Sequence, residues 1–265
     1  TGIEVAGILS EMKKFVLPND YPDMPSSLMH IYLIEAGPRL LAGMSEESSA
    51  HAEQFLREMG VNILLNKRVV DYRDHKVVLE DGTEIATRTF IWVSGVTGVT
   101  IGNLDASLIG RGGRIKVDSF NRVEGMNNVF AIGDQCIQLA DGNYPNGHPQ
   151  LAQVAIQQGE LLAKNLVRME KGREMKPFHY RNLGSMATVG RNRAVAEFSK
   201  VKMQGWFAWV MWLVVHLRSI LGVRNKVIVL LNWVWNYFTY DQSMRMIVYA
   251  RKAKEIRDRE TIEAT

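Results

Sequence analysis

Two short apolar runs in this chain stop on groups that can do chemistry. His30-Ile31-Tyr32-Leu33-Ile34-Glu35 is almost continuously apolar and closes on a carboxylate, the pattern of a parallel strand buried on both faces. An acid there can accept hydrogen bonds from a ribose 2'-hydroxyl and repel a 2'-phosphate, selecting NADH over NADPH; the plainer reading is an exposed Glu at a strand end. Upstream, Thr1-Gly2-Ile3-Glu4-Val5-Ala6-Gly7 opens a helix rich in small residues. Gly2 fits the last glycine of a phosphate-binding turn, where the absent side chain lets helix and strand pack closely, although small residues open many ordinary helices. Gly2 and Glu35 are 33 residues apart, against roughly 20 in the usual fingerprint. Leu17 to Met29, with three prolines, therefore reads as an inserted loop.

The second run, Asn128-Val129-Phe130-Ala131-Ile132-Gly133-Asp134, reads as a buried strand closing on Gly-Asp. Fourteen residues further on, His148-Pro149-Gln150-Leu151-Ala152 opens a helix whose first N–H groups favour negative charge. Gln153 and Gln157 share one face of it at i, i+4.

The elements that must hold these groups alternate in type. A helix over Glu46 to Met59 precedes a strand at Val61 to Leu65, with Lys67 to Asp71 a second. Lys76 to Ile85 is a hairpin turning on Asp81-Gly82, which supplies positive φ. Thr89 to Val93 is a further apolar strand ending at Ser94-Gly95, and Arg114 to Asp118 alternates as another. A βαβ unit interrupted by an antiparallel excursion is the α/β pattern of a dinucleotide domain.

Composition narrows the rest. With 265 residues, 46% hydrophobic and 23% charged, the chain is neither disordered, collagenous nor disulfide-rich. Cys136 is its one cysteine, which leaves no zinc cage or CxxC pair; it reads as a small buried residue. His148 and His179 read as structural or solvated, and no spacing suggests a metal. Residues 171–226 carry 11 Lys or Arg against 2 Asp or Glu, although the whole chain is only +4. Five of the six Trp fall at 206, 209, 212, 233 and 235, inside apolar runs at Gly205 to Leu217 and Val227 to Tyr240. These are shorter than the roughly 20 residues a spanning helix needs, so they read as helices lying on an anionic membrane surface. The alternative is two core helices of a soluble homodimer. Basic residues interleaved with Trp and aliphatics do not suit nucleic acid.

On its motifs the chain resembles the type II NADH dehydrogenases, single-subunit, non-proton-pumping NADH:quinone oxidoreductases. The resemblance rests on the TGIEVAG opening, AIGDQ at 131–135, the PQLAQVAIQQG helix at 149–159 and GSMATVGRNRAVAEF at 184–198. It implies a two-dinucleotide-binding-domain flavoprotein fold with C-terminal amphipathic membrane helices. Residues 1–98 would be the NADH domain without its first strand, 99–187 the second half of the FAD domain, and 188–265 the membrane module. The first FAD half would be absent, so the chain alone is expected to be inactive. The cofactors implied are FAD and NADH, with Gly2, Glu35 and Gly95 on the NADH side and Gly133, Asp134 and Ala152 on the flavin side. There Asp134 would bond the ribityl chain, and the helix from Ala152 would face the flavin pyrimidine carbonyls. Gln153 and Gln157 are assigned to a quinone carbonyl, and Glu4 to a proton relay between nicotinamide and flavin, with a helix-dipole role as the plainer reading of Glu4. Lys200 and Lys202 suit either the flavin or lipid phosphate. The resemblance also implies a homodimer, peripheral on the cytoplasmic face of a bacterial inner membrane. Sulfide:quinone reductases fit less well, since they need cysteines flanking the flavin. Two rivals stay open: a catalytically silent NADH-binding and membrane-associating fragment, and a soluble reductase that dimerises through its tail.

Overall fold

The computed structural model describes residues 1–239 apart from Met24, Thr100 and Lys200; the Lys200 assignment and the end of the last apolar run lie outside the described residues. Helix α1 (Gly2–Glu11) passes through a π-helical turn at Met12–Val16 into α2 (Leu17–Asp20). The expected loop thus begins later than Leu17, because Pro18 stands in a helix's first turn, where its missing N–H costs nothing. Strand β1 (Ile31–Ile34), helix α3 (Glu46–Glu58) and strand β2 (Val61–Leu64) form a parallel βαβ unit, with Ile31 opposite Val61 and Ile34 opposite Leu64. The antiparallel excursion follows as β3 (Val69–Arg73), β4 (Lys76–Leu79) and β5 (Glu84–Ala86), with Gly82 at φ +83° in the turn.

Two expected strands do not form ladders. Among the described residues Thr89 to Val93 has no strand partner, and Ile91, Trp92 and Val93 are exposed. Asn128 to Asp134 makes only an isolated bridge, Phe130 with Arg122, and ends in a 3-10 turn at Gly133–Gln135. The parallel pair of this region is instead β6 (Ile115–Val117) with β7 (Cys136–Gln138). Apolar composition makes both segments read as strands, but a strand is completed by a neighbour about 4.8 Å away, and among the described residues none forms a ladder with either.

Helix α4 (Ala152–Glu170) leads to an antiparallel meander, β8 (Ser185–Gly190), β9 (Arg193–Phe198) and β10 (Val201–Gln204), and then to α5 (Gly205–Ser219) and α6 (Val223–Thr239). The meander is absent from the sequence reading. It shares its core with the first βαβ unit: Ile3, Ala6, Ile31, Leu56, Val61 and Ile63 pack with Ala187, Val189 and Val195. Gly7 makes this possible. A Cβ there would lie 1.6 Å from the Val189 carbonyl oxygen, so only glycine lets α1 rest on β8.

Glu197 on β9 completes the union. Its carboxylate accepts hydrogen bonds from the Ser45 N–H at 3.0 Å and the Ser45 hydroxyl, at the residue that caps α3. Among the described residues no helix is long and apolar enough to cross a membrane.

Candidate functional site

The candidate site is built where strands end. Glu35 continues the β1 ladder through its N–H to Leu64 O at 2.9 Å and its carbonyl to the Lys67 N–H at 3.1 Å. Its carboxylate accepts the Gly37 N–H at 2.8 Å, which fixes the side chain while leaving the second oxygen for a ligand. Gly2 opens α1, and a Cβ there would sit 3.2 Å from Val93 and 3.6 Å from Leu33. Gly2, Leu33 and Val93 thus converge where β1 and the 89–94 segment finish, the crevice in which open α/β sheets hold nucleotides. Glu4 is half-buried in the first turn of α1.

Between β1 and the 89–94 segment runs a cleft of about 970 Å³ floored by Val5, Ala6 and Leu9 of α1. Among the described residues β1 pairs only with β2, on its other edge. Backbone N–H and C=O groups flank the cleft without ladder partners, and apolar side chains line it.

The second half meets the first at a backbone crossing. Gly98 donates its N–H to Gly112 O at 2.7 Å, and a Cβ on Gly98 would lie 2.3 Å from the Gly113 carbonyl oxygen. The Gln135 amide holds the adjacent Val99 peptide in both directions, accepting its N–H at 3.0 Å and donating to its carbonyl at 2.6 Å. This ties the segment after Gly95 (φ +81°) to the Gly133–Gln135 turn.

That turn rests on α4. Gly133 (φ +68°) would place a Cβ 3.3 Å from Ala155, its N–H donates to Gln158 at 2.7 Å, and Gln150 donates to Asp134 O at 3.1 Å. Ala152 and Asp134 are both exposed. No side chain caps α4, so its first N–H groups are open to an electron-rich ligand edge. An exposed acid, a positive-φ glycine and an uncapped helix end in one place fit the ribityl and pyrimidine side of a flavin.

Behind them, His148 Nε2 lies 3.0 Å from Asp141 Oδ2, both fully buried. The His148 hydrogen bond holds the Asp141 carboxyl below its ordinary range against the opposing effect of burial. Phe178, Tyr144 and Tyr180 enclose the ring, so the structural reading of His148 fits, and His179 is exposed. Cys136 is buried, hydrogen-bonded to Gly133 O and Gln158, and burial pushes its thiol up, away from the thiolate.

Gln153 and Gln157 are brought together, with a further task the spacing does not reveal. Gln153 donates to Gly184 O at 3.0 Å and accepts from the Leu183 N–H at 3.1 Å. Gln157 does the same with Arg181, at 2.9 and 3.1 Å. Asn165 repeats the pattern with Lys176, at 2.8 and 2.9 Å. Three amides along one helix thus stand in for a strand edge and hold 176–184 against α4. Each amide nitrogen carries two donors, so each Gln keeps one N–H for another acceptor. The i, i+4 spacing shows the shared face, but the partner segment is visible only in three dimensions.

A parallel βαβ unit followed by a second glycine-and-acid turn at a helix start is the α/β pattern of nucleotide-binding folds. The chain belongs to the pyridine nucleotide-disulphide oxidoreductase family, whose model matches residues 1–159. The NDH2 C-terminal domain matches residues 182–240, and the two together mark the type II NADH dehydrogenase branch. The chain is 35% identical over 246 residues to the type II NADH:quinone oxidoreductase NdhA of Mycobacterium tuberculosis, covering 88% of this chain and 51% of that protein. It is 31% identical over 255 residues to the internal alternative NAD(P)H-ubiquinone oxidoreductase A1 of Arabidopsis thaliana mitochondria, covering 89% and 49%. The chain therefore spans about half the length of the curated relatives it matches. In fold it is similar to the structure of NDH2 from Plasmodium falciparum in complex with NADH, with a TM-score of 0.79 at 17% identity over 92% of this chain and 65% of that one. The sulfide:quinone oxidoreductase of Aquifex aeolicus is a more distant fold relative, with a TM-score of 0.63 at 16% identity over 90% and 59%.

Proposed function

We propose that this chain is the NADH-binding, flavin-edge and membrane-associating part of a type II NADH:quinone oxidoreductase that does not pump protons. The observation that carries the reading is the Gly133-Asp134 turn seated at the uncapped start of α4 and tied through Gln135 to the end of the nucleotide half. Bound FAD would supply two-electron chemistry linking NADH to a quinone. The chain's own groups then have separable tasks. Glu35 accepts the ribose hydroxyls of NADH at the crevice beside Gly2, and Gly95 lets the backbone approach the nicotinamide side. Glu4 holds a proton near the reacting edge. Asp134 takes the ribityl hydroxyls, and the α4 N–H groups from Ala152 stabilise negative charge on the ring. Gln153 and Gln157 offer their remaining N–H groups to a quinone carbonyl without a charge that an apolar channel would disfavour.

The cleft beside β1 favours a second element of the reading. We take it as the seat of the NADH domain's first strand, parallel to β1 and leading into Gly2, and about five or six residues would fill it. In that reading the 265 residues alone are catalytically silent, because neither that strand nor the other half of the flavin site is among them. The divisions at 98/99 and 187/188 belong to the same proposal, the latter falling within β8.

The tail completes the reading: α5 and α6 expose Phe207, Met211, Val214, Leu231, Val234 and Phe238, a surface suited to the membrane interface and available to a homodimer. We assign it to the cytoplasmic face of a bacterial inner membrane. Flavin absorbance and NADH-driven reduction of a short-chain quinone test the whole. The 265-residue chain should be colourless and inactive, and co-production with the FAD half of a relative should restore both. A stoichiometric yellow preparation of this chain alone would remove the fragment reading.

A further inference from the structure

The basic tail contains cations of two kinds. Arg191 grips the end of α6, donating to Tyr237 O at 3.0 Å and Asn236 O at 2.8 Å and lying over the Tyr237 ring. Arg193 lies 3.9 Å from Glu58, and Lys202 lies 3.0 Å from Glu47. Arg218, Arg224 and Lys226 are different: among the described residues their side chains have no ion pair and no hydrogen-bond partner. All three flank the elbow at 220–222 that joins α5 to α6.

The elbow is also the free end of the helix pair. At the base of α5, Ala208 is fully buried against the meander, and the last turn of α6 is held by Arg191, so both other ends are fixed to the body. At the elbow, Leu221 is 86% and Val223 79% exposed. No Asp or Glu occurs between Glu197 and Asp241, so nothing nearby in sequence neutralises the three cations. Arg224 and Lys226 stand in the first turn of α6, where they add to the positive end of its dipole instead of offsetting it. In α5 the polarity runs along the axis: apolar residues surround the helix from Trp206 to Val215, and His216 and Arg218 occupy its last turn.

We propose that the α5–α6 elbow makes the membrane contact selective for anionic lipid, Leu221 and Val223 entering the interface while Arg218, Arg224 and Lys226 meet the headgroup charges. Arg193 and Lys202 take no part, because Glu58 and Glu47 meet their charge, and the Arg191 guanidinium is held against the end of α6, away from the elbow. The inference rests on the membrane-surface reading of the tail.

Flotation of the full 265-residue chain with vesicles tests it, using phosphatidylcholine alone and phosphatidylcholine mixed with phosphatidylserine. The wild type should favour the anionic vesicles. Arg218→Gln, Arg224→Gln and Lys226→Gln together should erase that preference, about fivefold for each cation and roughly a hundredfold for the three, while weak binding to phosphatidylcholine persists through the apolar faces. Arg193→Gln with Lys202→Gln should keep the preference. A triple variant with the wild-type preference, or a double variant that loses as much, overturns the elbow assignment alone. A wild type that floats with neither vesicle sinks the membrane reading and this inference with it.

Discussion

At the scale of single residues, backbone geometry settles what each polar side chain is free to do. Glu35 is held by Gly37 through one carboxylate oxygen, so its charge is fixed at the crevice. Glu35→Gln should keep NADH binding and cut the preference for NADH over NADPH about tenfold, equivalent to about 1.4 kcal/mol, read by fluorescence titration of both nucleotides. Equal affinities in the unaltered protein would remove the role assigned to Glu35. Gln153 and Gln157 each spend one donor and one acceptor on 181–184. Replacing either by Ala removes two hydrogen bonds of about 1 kcal/mol each, so the Leu183 or Arg181 amide should exchange with solvent at least tenfold faster. NMR-detected exchange reads this without any cofactor. In a flavin-loaded full-length relative, the same substitutions should slow quinone-driven reoxidation more than NADH-driven bleaching. Equal slowing of both would leave only the clamp.

At the scale of elements, the meander and the first βαβ unit behave as one body because a carboxylate of one holds the residue that caps a helix of the other. Burial pushes the Glu197 carboxyl up, but hydrogen bonds from the Ser45 hydroxyl, Ser48 and the Ser45 N–H outweigh it and leave the group below its ordinary value of 4.5. A carboxylate depressed in the folded state contributes stability that is fully present above the unfolded value and is lost as pH falls through the folded one. The α3–β9 junction should therefore weaken as pH drops below about 4.5, and Glu197→Gln should lower the melting temperature at neutral pH while flattening the acid limb. Thermal melts from pH 3 to 7 check both; an acid limb unchanged in the variant would assign the loss to other carboxylates. None of this was legible in the sequence, where Glu197 stands 152 residues from Ser45.

For the whole molecule, the exposed apolar length of α5 and α6 predicts that deletion of residues 205–239 abolishes vesicle flotation while the NADH-side crevice keeps its nucleotide affinity. Sedimentation with vesicles and nucleotide titration on the same preparation measure this. Retained flotation would place the membrane contact elsewhere. The shared core of Ile3, Ile31, Leu56, Val189 and Val195 makes a second expectation: the deletion must spare β8–β10, because removal of the meander would expose the first βαβ unit as well.

The sequence by itself determined the local features: the βαβ unit at 31–64, the Asp81-Gly82 hairpin, the α4 and tail helices, the acid closing β1 and the Gly133-Asp134 pair, whose turn only the structure showed. Each follows from periodicity, turn chemistry or a residue's own conformational range, which act over a few positions. Only the tertiary structure decided which strand-like runs acquire neighbours, leaving 89–93 and 128–132 without ladders. It also decided that Gly7 carries the close approach of α1 to β8, that Gln153 and Gln157 clamp 181–184, and which tail cations are already paired. Those outcomes depend on contacts between residues far apart in the chain, and pairing of backbone edges and charges is a property of the partner as much as of the residue.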